Sequence, residues 1–139
     1  MADFPQNPAI LRHNTATATS SMDKIFLEEI RLDLVIGIYE WERQVAQTIQ
    51  LDIEIGLPHS RAGRSDDVAD TIDYGAVVAR IRESAAEKHF NLVEALAEHV
   101  AQLIREEFGA PWVRVKVAKL GMLRGVKRVG VVIERGEGA

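Results

Sequence analysis

Thr48-Ile49-Gln50-Leu51-Asp52-Ile53-Glu54-Ile55-Gly56-Leu57 decides the fold class. Ile49, Leu51, Ile53, Ile55 and Leu57 alternate with Thr48, Gln50, Asp52, Glu54 and Gly56. Side chains of a strand point alternately to opposite faces, so this stretch makes a strand with one apolar and one polar face. Upstream, Ile30, Leu32, Leu34 and Ile36 alternate with Arg31, Asp33 and Val35, which makes Lys24–Ile36 a second strand. Ile25 and Leu27 are out of phase with that series, so a bulge or bend is expected at Glu28-Glu29. The connection Tyr39–Ala46 is short enough to join the two strands as an antiparallel hairpin.

Downstream, Pro58–Thr71 reads as a polar connection, with Gly63 and Asp66-Asp67 as turn material. Asp73 is placed to cap a helix that starts near Tyr74, where Val78, Ile81 and Ala85 keep helical spacing. A second helix is expected after Asn91. Asn91 and Glu94 have the spacing of a capping box, and Leu96, Val100, Leu103 and Ile104 form one apolar stripe. Gly109 and Pro111 stop it. Val113, Val115 and Val117 then alternate with Arg114 and Lys116, and Val129, Val131 and Ile133 with Arg128, Gly130 and Glu134. Residues 119–125 are expected to form the loop between these last strands.

The order is therefore ββααββ: an α+β domain with a four-stranded antiparallel sheet and both helices on one face. The other face carries Arg31, Asp33, Gln50, Asp52, Glu54, Arg114 and Lys116, too polar for a dry core. It can face bulk water, or line a wet channel if several sheets close into a ring by symmetry.

Bulk properties narrow the function. A chain of 139 residues holds one core, not two. A net charge of −4 argues against general nucleic-acid binding, which wants a basic field. With no cysteine, disulfides, thiolate nucleophiles and zinc–sulfur sites are excluded, and a reducing cytoplasmic location is expected. No apolar run approaches the ~20 residues of a membrane helix. Residues 1–21, with the patternless Ala16-Thr17-Ala18-Thr19-Ser20-Ser21, are expected to be a disordered extension without a secretory signal. The domain is expected over residues 22–136, with a short tail at 137–139. His13, His59, His89 and His99 show no spacing that pairs two metal ligands on one face, so no zinc site is expected. Arg124, Lys127 and Arg128 read as a solvated loop face.

Polar residues outside the regular elements gather at loops and element ends, where scaffolds usually present reactive groups. Glu42 lies in the first hairpin loop, Tyr74 and Glu94 at helix starts, and Lys119 at a strand end. Each has an ordinary reading: a loop carboxylate beside Trp41, a packing tyrosine with a wet hydroxyl, a capping acid and a solvated lysine.

Taken together, Ile36-Gly37-Ile38-Tyr39-Glu40-Trp41-Glu42, Ser65-Asp66-Asp67-Val68-Ala69-Asp70-Thr71-Ile72-Asp73-Tyr74, Phe90-Asn91-Leu92-Val93-Glu94 and the Lys119 strand end resemble the dihydroneopterin aldolases, in order and with matching spacing from about Met22 to Gly136. The resemblance implies the tunnelling fold, whose subunits pool their sheets into a barrel, usually a homo-octamer of two stacked tetrameric rings with active sites between subunits. It implies a metal-free lyase of folate biosynthesis that splits 7,8-dihydroneopterin into 6-hydroxymethyl-7,8-dihydropterin and glycolaldehyde. Glu94 would accept the pterin 2-amino group and ring NH, helped by the backbone of Leu92 and Val93. Tyr74 from a neighbouring subunit would cover the ring and move a proton, with Ile72 adding backbone contacts. Lys119 would be the acid/base group, and Glu42 would lie near the substrate hydroxyls.

One feature departs from the pattern. Lys119 is followed by Leu120-Gly121, where bacterial aldolases of this family often carry proline and glycine. Leu120-Gly121-Met122-Leu123-Arg124 partly resembles the paralogous dihydroneopterin triphosphate epimerases. Two further readings therefore stand beside the lyase: an epimerase of dihydroneopterin or its triphosphate, and a non-catalytic pterin-binding barrel.

Overall fold

A computed structural model describes residues 21–138, so all of the expected extension except Ser21, and Ala139 of the expected tail, lie outside the described residues. Four strands form one antiparallel sheet in the order β1-β2-β3-β4: β1 Lys24–Leu34, β2 Gln47–Gly56, β3 Trp112–Leu123 and β4 Val126–Gly136. Two helices, α1 Tyr74–Ala86 and α2 Val93–Phe108, come between β2 and β3. Among the described residues the outer edges of β1 and β4 have no strand partner.

Register explains the core. Ile49, Leu51, Ile53 and Ile55 of β2 lie opposite Lys119, Val117, Val115 and Val113 of β3. Apart from Lys119 these residues are buried, and they face the stripes Val77-Ile81-Ala85 of α1 and Leu96-Val100-Ile104 of α2. Each such aliphatic side chain contributes about 1.5–3 kcal/mol by leaving water.

The expected bulge is present. Leu27 pairs with Ile53 and Ile30 with Leu51, so Glu28 and Glu29 together oppose Asp52. Glu29 takes a left-handed φ of 57°, and its amide donates to Asp52 Oδ1 at 3.0 Å. The extra residue shifts the phase of β1. Leu27 therefore stands on the same face as Ile30 and Leu32, although the sequence puts them out of step.

The opposite face is a polar lattice of cross-strand contacts. Arg114 Nη1 meets Glu54 Oε2 at 3.1 Å, and Thr48 Oγ1 donates to Asp33 Oδ1 at 2.8 Å. Exposed pairs of this kind add little stability.

The expected capping box at the start of α2 does not form. The residue preceding α2 is Leu92, in an extended conformation and with no side-chain cap. Asn91 Oδ1 instead meets His89 Nε2 at 3.1 Å. Because the helix starts at Val93, Glu94 sits one position too early to reach back as the box requires. Asp73 does cap α1, its Oδ1 accepting from Ala76 N at 3.2 Å. The Pro58–Thr71 connection also contains a one-turn helix, Ala62–Ser65, and a 3-10 turn, Val68–Asp70.

The loop expected over residues 119–125 is mostly strand. β3 runs on to Leu123, and the turn is Arg124-Gly125, with Gly125 at φ 80°. A register shift between Leu120 and Leu123, with Gly121 at φ 67°, breaks the alternation that would otherwise announce a strand. Lys119 is thus held inside the sheet, between Ile49 and Val129.

Candidate active site

The site grows from one end of the buried strand rows. Val113, Val115 and Val117 point toward the helices, and by the two-residue period Lys119 points the same way. On β2, Gln47 precedes Ile49, Leu51 and Ile53 on that same face. A lysine and a glutamine thus end two apolar rows side by side.

Glu42 meets them from the hairpin loop. It belongs to the 3-10 turn Glu40–Arg43 and is only 2% exposed. Its Oε2 accepts from Lys119 Nζ at 2.6 Å and from Gln47 Nε2 at 3.2 Å, while Oε1 accepts the Tyr39 amide at a longer 3.4 Å. Gly37 makes room for it. Its φ of 135° suits glycine, and a Cβ there would lie 2.3 Å from the Glu42 carboxyl carbon.

The hydrogen bond from Lys119 holds the Glu42 carboxyl below its ordinary pKa. Burial opposes that shift, and Gln47, the Tyr39 amide and the Lys119 charge reinforce it. The result is a desolvated ion pair, with the Lys119 side chain 15% exposed toward a cleft.

A second wall is tied to the first by main chain. Ile36 forms a parallel bridge with Phe90, and the Gly37 amide donates to the Phe90 carbonyl at 3.1 Å. This fixes the Gly37–Glu42 turn against the segment that enters α2. Between the two walls lies a cleft of about 520 Å³. It brings together five of the residues singled out from sequence: Glu42, Leu92, Val93, Glu94 and Lys119.

Glu94 is exposed and makes no hydrogen bond or ion pair among the described residues. Its place in the first turn of α2 suits a carboxylate, because the helix N-terminus carries partial positive charge. Ile38, Trp41, Met122 and Val129 add apolar lining.

Ile72 and Tyr74 do not line this cleft. Ile72 is buried in the core, and Tyr74 stands 62% exposed at the start of α1. Arg124, Lys127 and Arg128 also stay outside it; among the described residues Lys119 is the one basic side chain lining the cleft. A separate cavity of about 630 Å³ lies on the polar sheet face, where Arg128 lines it with Arg114 and Lys116, and it includes neither Glu42, Glu94 nor Lys119. Sequence reading missed Gln47. Its signal was phase, since Gln47 shares the parity of Ile49, Leu51 and Ile53.

Chemically, the cleft offers a free carboxylate that can take two parallel N–H donors, apolar walls for a ring, and a buried ion pair able to supply and accept protons. Among the described residues no group of three or more His, Asp or Glu side chains could hold a metal ion, and no helix is long and apolar enough to cross a membrane.

Known proteins resemble this chain in sequence and fold. The family model described as FolB, dihydroneopterin aldolase, matches residues 25–134. The dihydroneopterin aldolase of Escherichia coli K12 is 39% identical over 115 residues, 83% of this chain and 94% of the relative. That of Haemophilus influenzae is 32% identical over 115 residues, 83% of this chain and 98% of the relative. The crystal structure of the E. coli enzyme in complex with neopterin superposes with a TM-score of 0.78 at 39% identity, covering 83% of this chain and 100% of that one.

Proposed function

The chain belongs to the dihydroneopterin aldolase family, and on that premise we propose that its cleft binds 7,8-dihydroneopterin and cleaves it to 6-hydroxymethyl-7,8-dihydropterin and glycolaldehyde, a step of folate biosynthesis. The observation that carries this reading is the convergence on one cleft of Glu94, unpartnered among the described residues, and the Lys119–Glu42 ion pair.

Glu94 anchors the pterin, its two oxygens accepting the 2-amino group and the adjacent ring NH, while the backbone of Leu92 and Val93 borders the ring. That orientation directs the trihydroxypropyl side chain toward Lys119 and Glu42. In the retro-aldol step the 2′-hydroxyl loses its proton and the C1′–C2′ bond breaks. The electron pair moves into the ring C6=N5 bond as N5 gains a proton. Glycolaldehyde leaves, and C1′ is then protonated as the ring imine re-forms. The ring itself is the electron sink, so Lys119 has no need to form an imine. Lys119, charged beside Glu42, organises the transfers through water.

Tyr74 and Ile72 enter this scheme from a neighbouring subunit. Tyr74 is exposed on its own chain, which supports a role across an interface. Edges of β1 and β4 that have no strand partner among the described residues, and a polar sheet face, support closure of several sheets into a ring, with two rings of four making an octamer.

The epimerase reading uses the same bond cleavage followed by re-addition of the aldehyde from the other face. A triphosphate substrate would ask for several cations, and Lys119, already paired with Glu42, is the one basic side chain lining the cleft among the described residues. This favours the unphosphorylated substrate.

Incubation of the protein with 7,8-dihydroneopterin tests the reading. Glycolaldehyde and 6-hydroxymethyl-7,8-dihydropterin in equal amounts are expected. The epimeric pterin without aldehyde would establish the isomerase instead, and binding without turnover the non-catalytic barrel.

A further inference from the structure

We propose that Gln47 is a positioning residue for this reaction: its side-chain amide fixes where the Glu42 carboxylate, and through it the Lys119 ammonium, stands in the cleft. The inference rests on the acid/base reading of that pair.

Three observations carry it. Gln47 Nε2 donates to Glu42 Oε2 at 3.2 Å, the same oxygen that accepts Lys119 Nζ at 2.6 Å. The same Nε2 donates to the Ile36 carbonyl at 2.8 Å, immediately before Gly37 and the turn that carries Glu42. One amide thus grips both the root of the turn and its working end. Both partners are pure acceptors here, so the amide has one workable orientation; a flipped Gln47 would set its own oxygen against two others.

The third observation is a cost. Gln47 Oε1 is buried and has no hydrogen-bond partner among the described residues. Gln47 stands on the core-facing side of β2, where its successors are Ile49, Leu51 and Ile53. An apolar side chain would fill that position without an unpaired oxygen. The oxygen end of the amide is thus a cost, and the case for a glutamine there lies in its Nε2 contacts with Ile36 and Glu42.

Removing the donor should change chemistry more than binding. The pterin anchor, Glu94, belongs to the other wall and shares no hydrogen bond with Gln47 among the described residues. Glu42 would keep Lys119 and the Tyr39 amide but lose its lateral restraint. The charged groups around Glu42 are Lys119 of β3 in contact, Glu94 of α2 on the opposite wall, and the exposed Glu40 and Arg43 of its own turn. Loss of one donor raises the pH at which Glu42 takes up a proton. The acid limb of the kcat profile should therefore move upward.

The test compares the parent with Gln47→Met, similar in length but without a donor, and with Gln47→Glu, which puts a second carboxylate beside Glu42. Glycolaldehyde release is followed from acid to neutral pH, together with KM for 7,8-dihydroneopterin. For both variants kcat is expected to fall about 10- to 100-fold, as sub-ångström misplacement of reacting groups does, with KM changed less than about 3-fold because the opposite wall is untouched. The acid limb is expected to rise in both. If Gln47→Met does not fold, Gln47→Glu decides alone. A parent-like kcat and acid limb in a folded variant would overturn the positioning role and leave the lyase reading standing. Absence of glycolaldehyde from the parent is a different result, and it would overturn that reading itself.

Discussion

Replacing Lys119 by Met should destabilise the protein, and a second change, Glu42→Gln, should repair most of that damage without restoring activity. The pair is 2.6 Å apart, with Glu42 2% and Lys119 15% exposed. At an effective dielectric constant near 20, the gross attraction at that distance is about 6 kcal/mol. Desolvation of the two ions costs several kcal/mol each, so the pair as a whole contributes little net stability. Breaking it is another matter. Lys119→Met leaves a buried carboxylate with Gln47 and one long amide contact, which costs about 3–5 kcal/mol for a fully buried pair. Water entering from the cleft side should hold the loss near ~3 kcal/mol. Glu42→Gln alone strands an ammonium that can still reach the cleft, a loss of roughly 1–2 kcal/mol. The double variant has no charge left to strand and should unfold within about 1 kcal/mol of the parent. Urea titration at one fixed chain concentration measures all four proteins, because any assembly makes stability concentration-dependent. A coupling of at least ~2 kcal/mol is expected. Additivity within about 0.5 kcal/mol would refute the claim that these two residues act as one buried unit.

Glu94→Ala should weaken pterin binding by roughly 2–5 kcal/mol, measured by calorimetry, because the ring donors lose the carboxylate that accepts them; unchanged affinity would remove Glu94 from the anchor role. Gly37→Ala forces a Cβ to 2.3 Å from the Glu42 carboxyl carbon at a φ of 135°, so a loss of about 1–3 kcal/mol from backbone strain alone is expected in urea titration, with glycolaldehyde release falling as well. The pH dependence of stability has a definite sign. The Glu42 carboxyl is held below its ordinary value, chiefly by the hydrogen bond from Lys119. Its stabilising contribution is therefore complete above the ordinary carboxylate range of about 4.3 and is lost as pH falls through the depressed folded value. Urea midpoints measured down this range should fall more steeply for the parent than for Glu42→Gln.

Most of the sheet was legible because its alternation is regular. Ile49, Leu51, Ile53 and Ile55 could face one way only, and the phase break at Glu28-Glu29 marked a real bulge. The second bulge, between Leu120 and Leu123, stayed hidden because Leu120-Gly121-Met122-Leu123 has no polar residue to expose the change of phase. The start of α2 misled for a different reason. Asn91 and Glu94 have capping-box spacing, but the chain is pinned at Phe90 by Gly37 and Ile36, and the helix begins two residues after Asn91. Of the candidate site, Glu42, Leu92, Val93, Glu94 and Lys119 could be named from the chain through the resemblance of their motifs to the dihydroneopterin aldolases, since position alone left Glu42, Glu94 and Lys119 with ordinary roles. Burial of Glu42 beside Trp41 was not readable. It depends on Gly37, Gln47 and Lys119 arriving from separate elements. Tyr74 and Ile72 stay apart from the cleft on a single chain, so the role proposed for them requires a neighbouring subunit.

A crystal structure with bound neopterin tests the central claim most directly. The 2-amino group and adjacent ring NH should both lie within hydrogen-bond distance of the Glu94 carboxylate, with the side-chain hydroxyls directed at Lys119 and Glu42. Neopterin seated on the polar sheet face, or in this cleft with its 2-amino edge turned away from Glu94, would contradict the account.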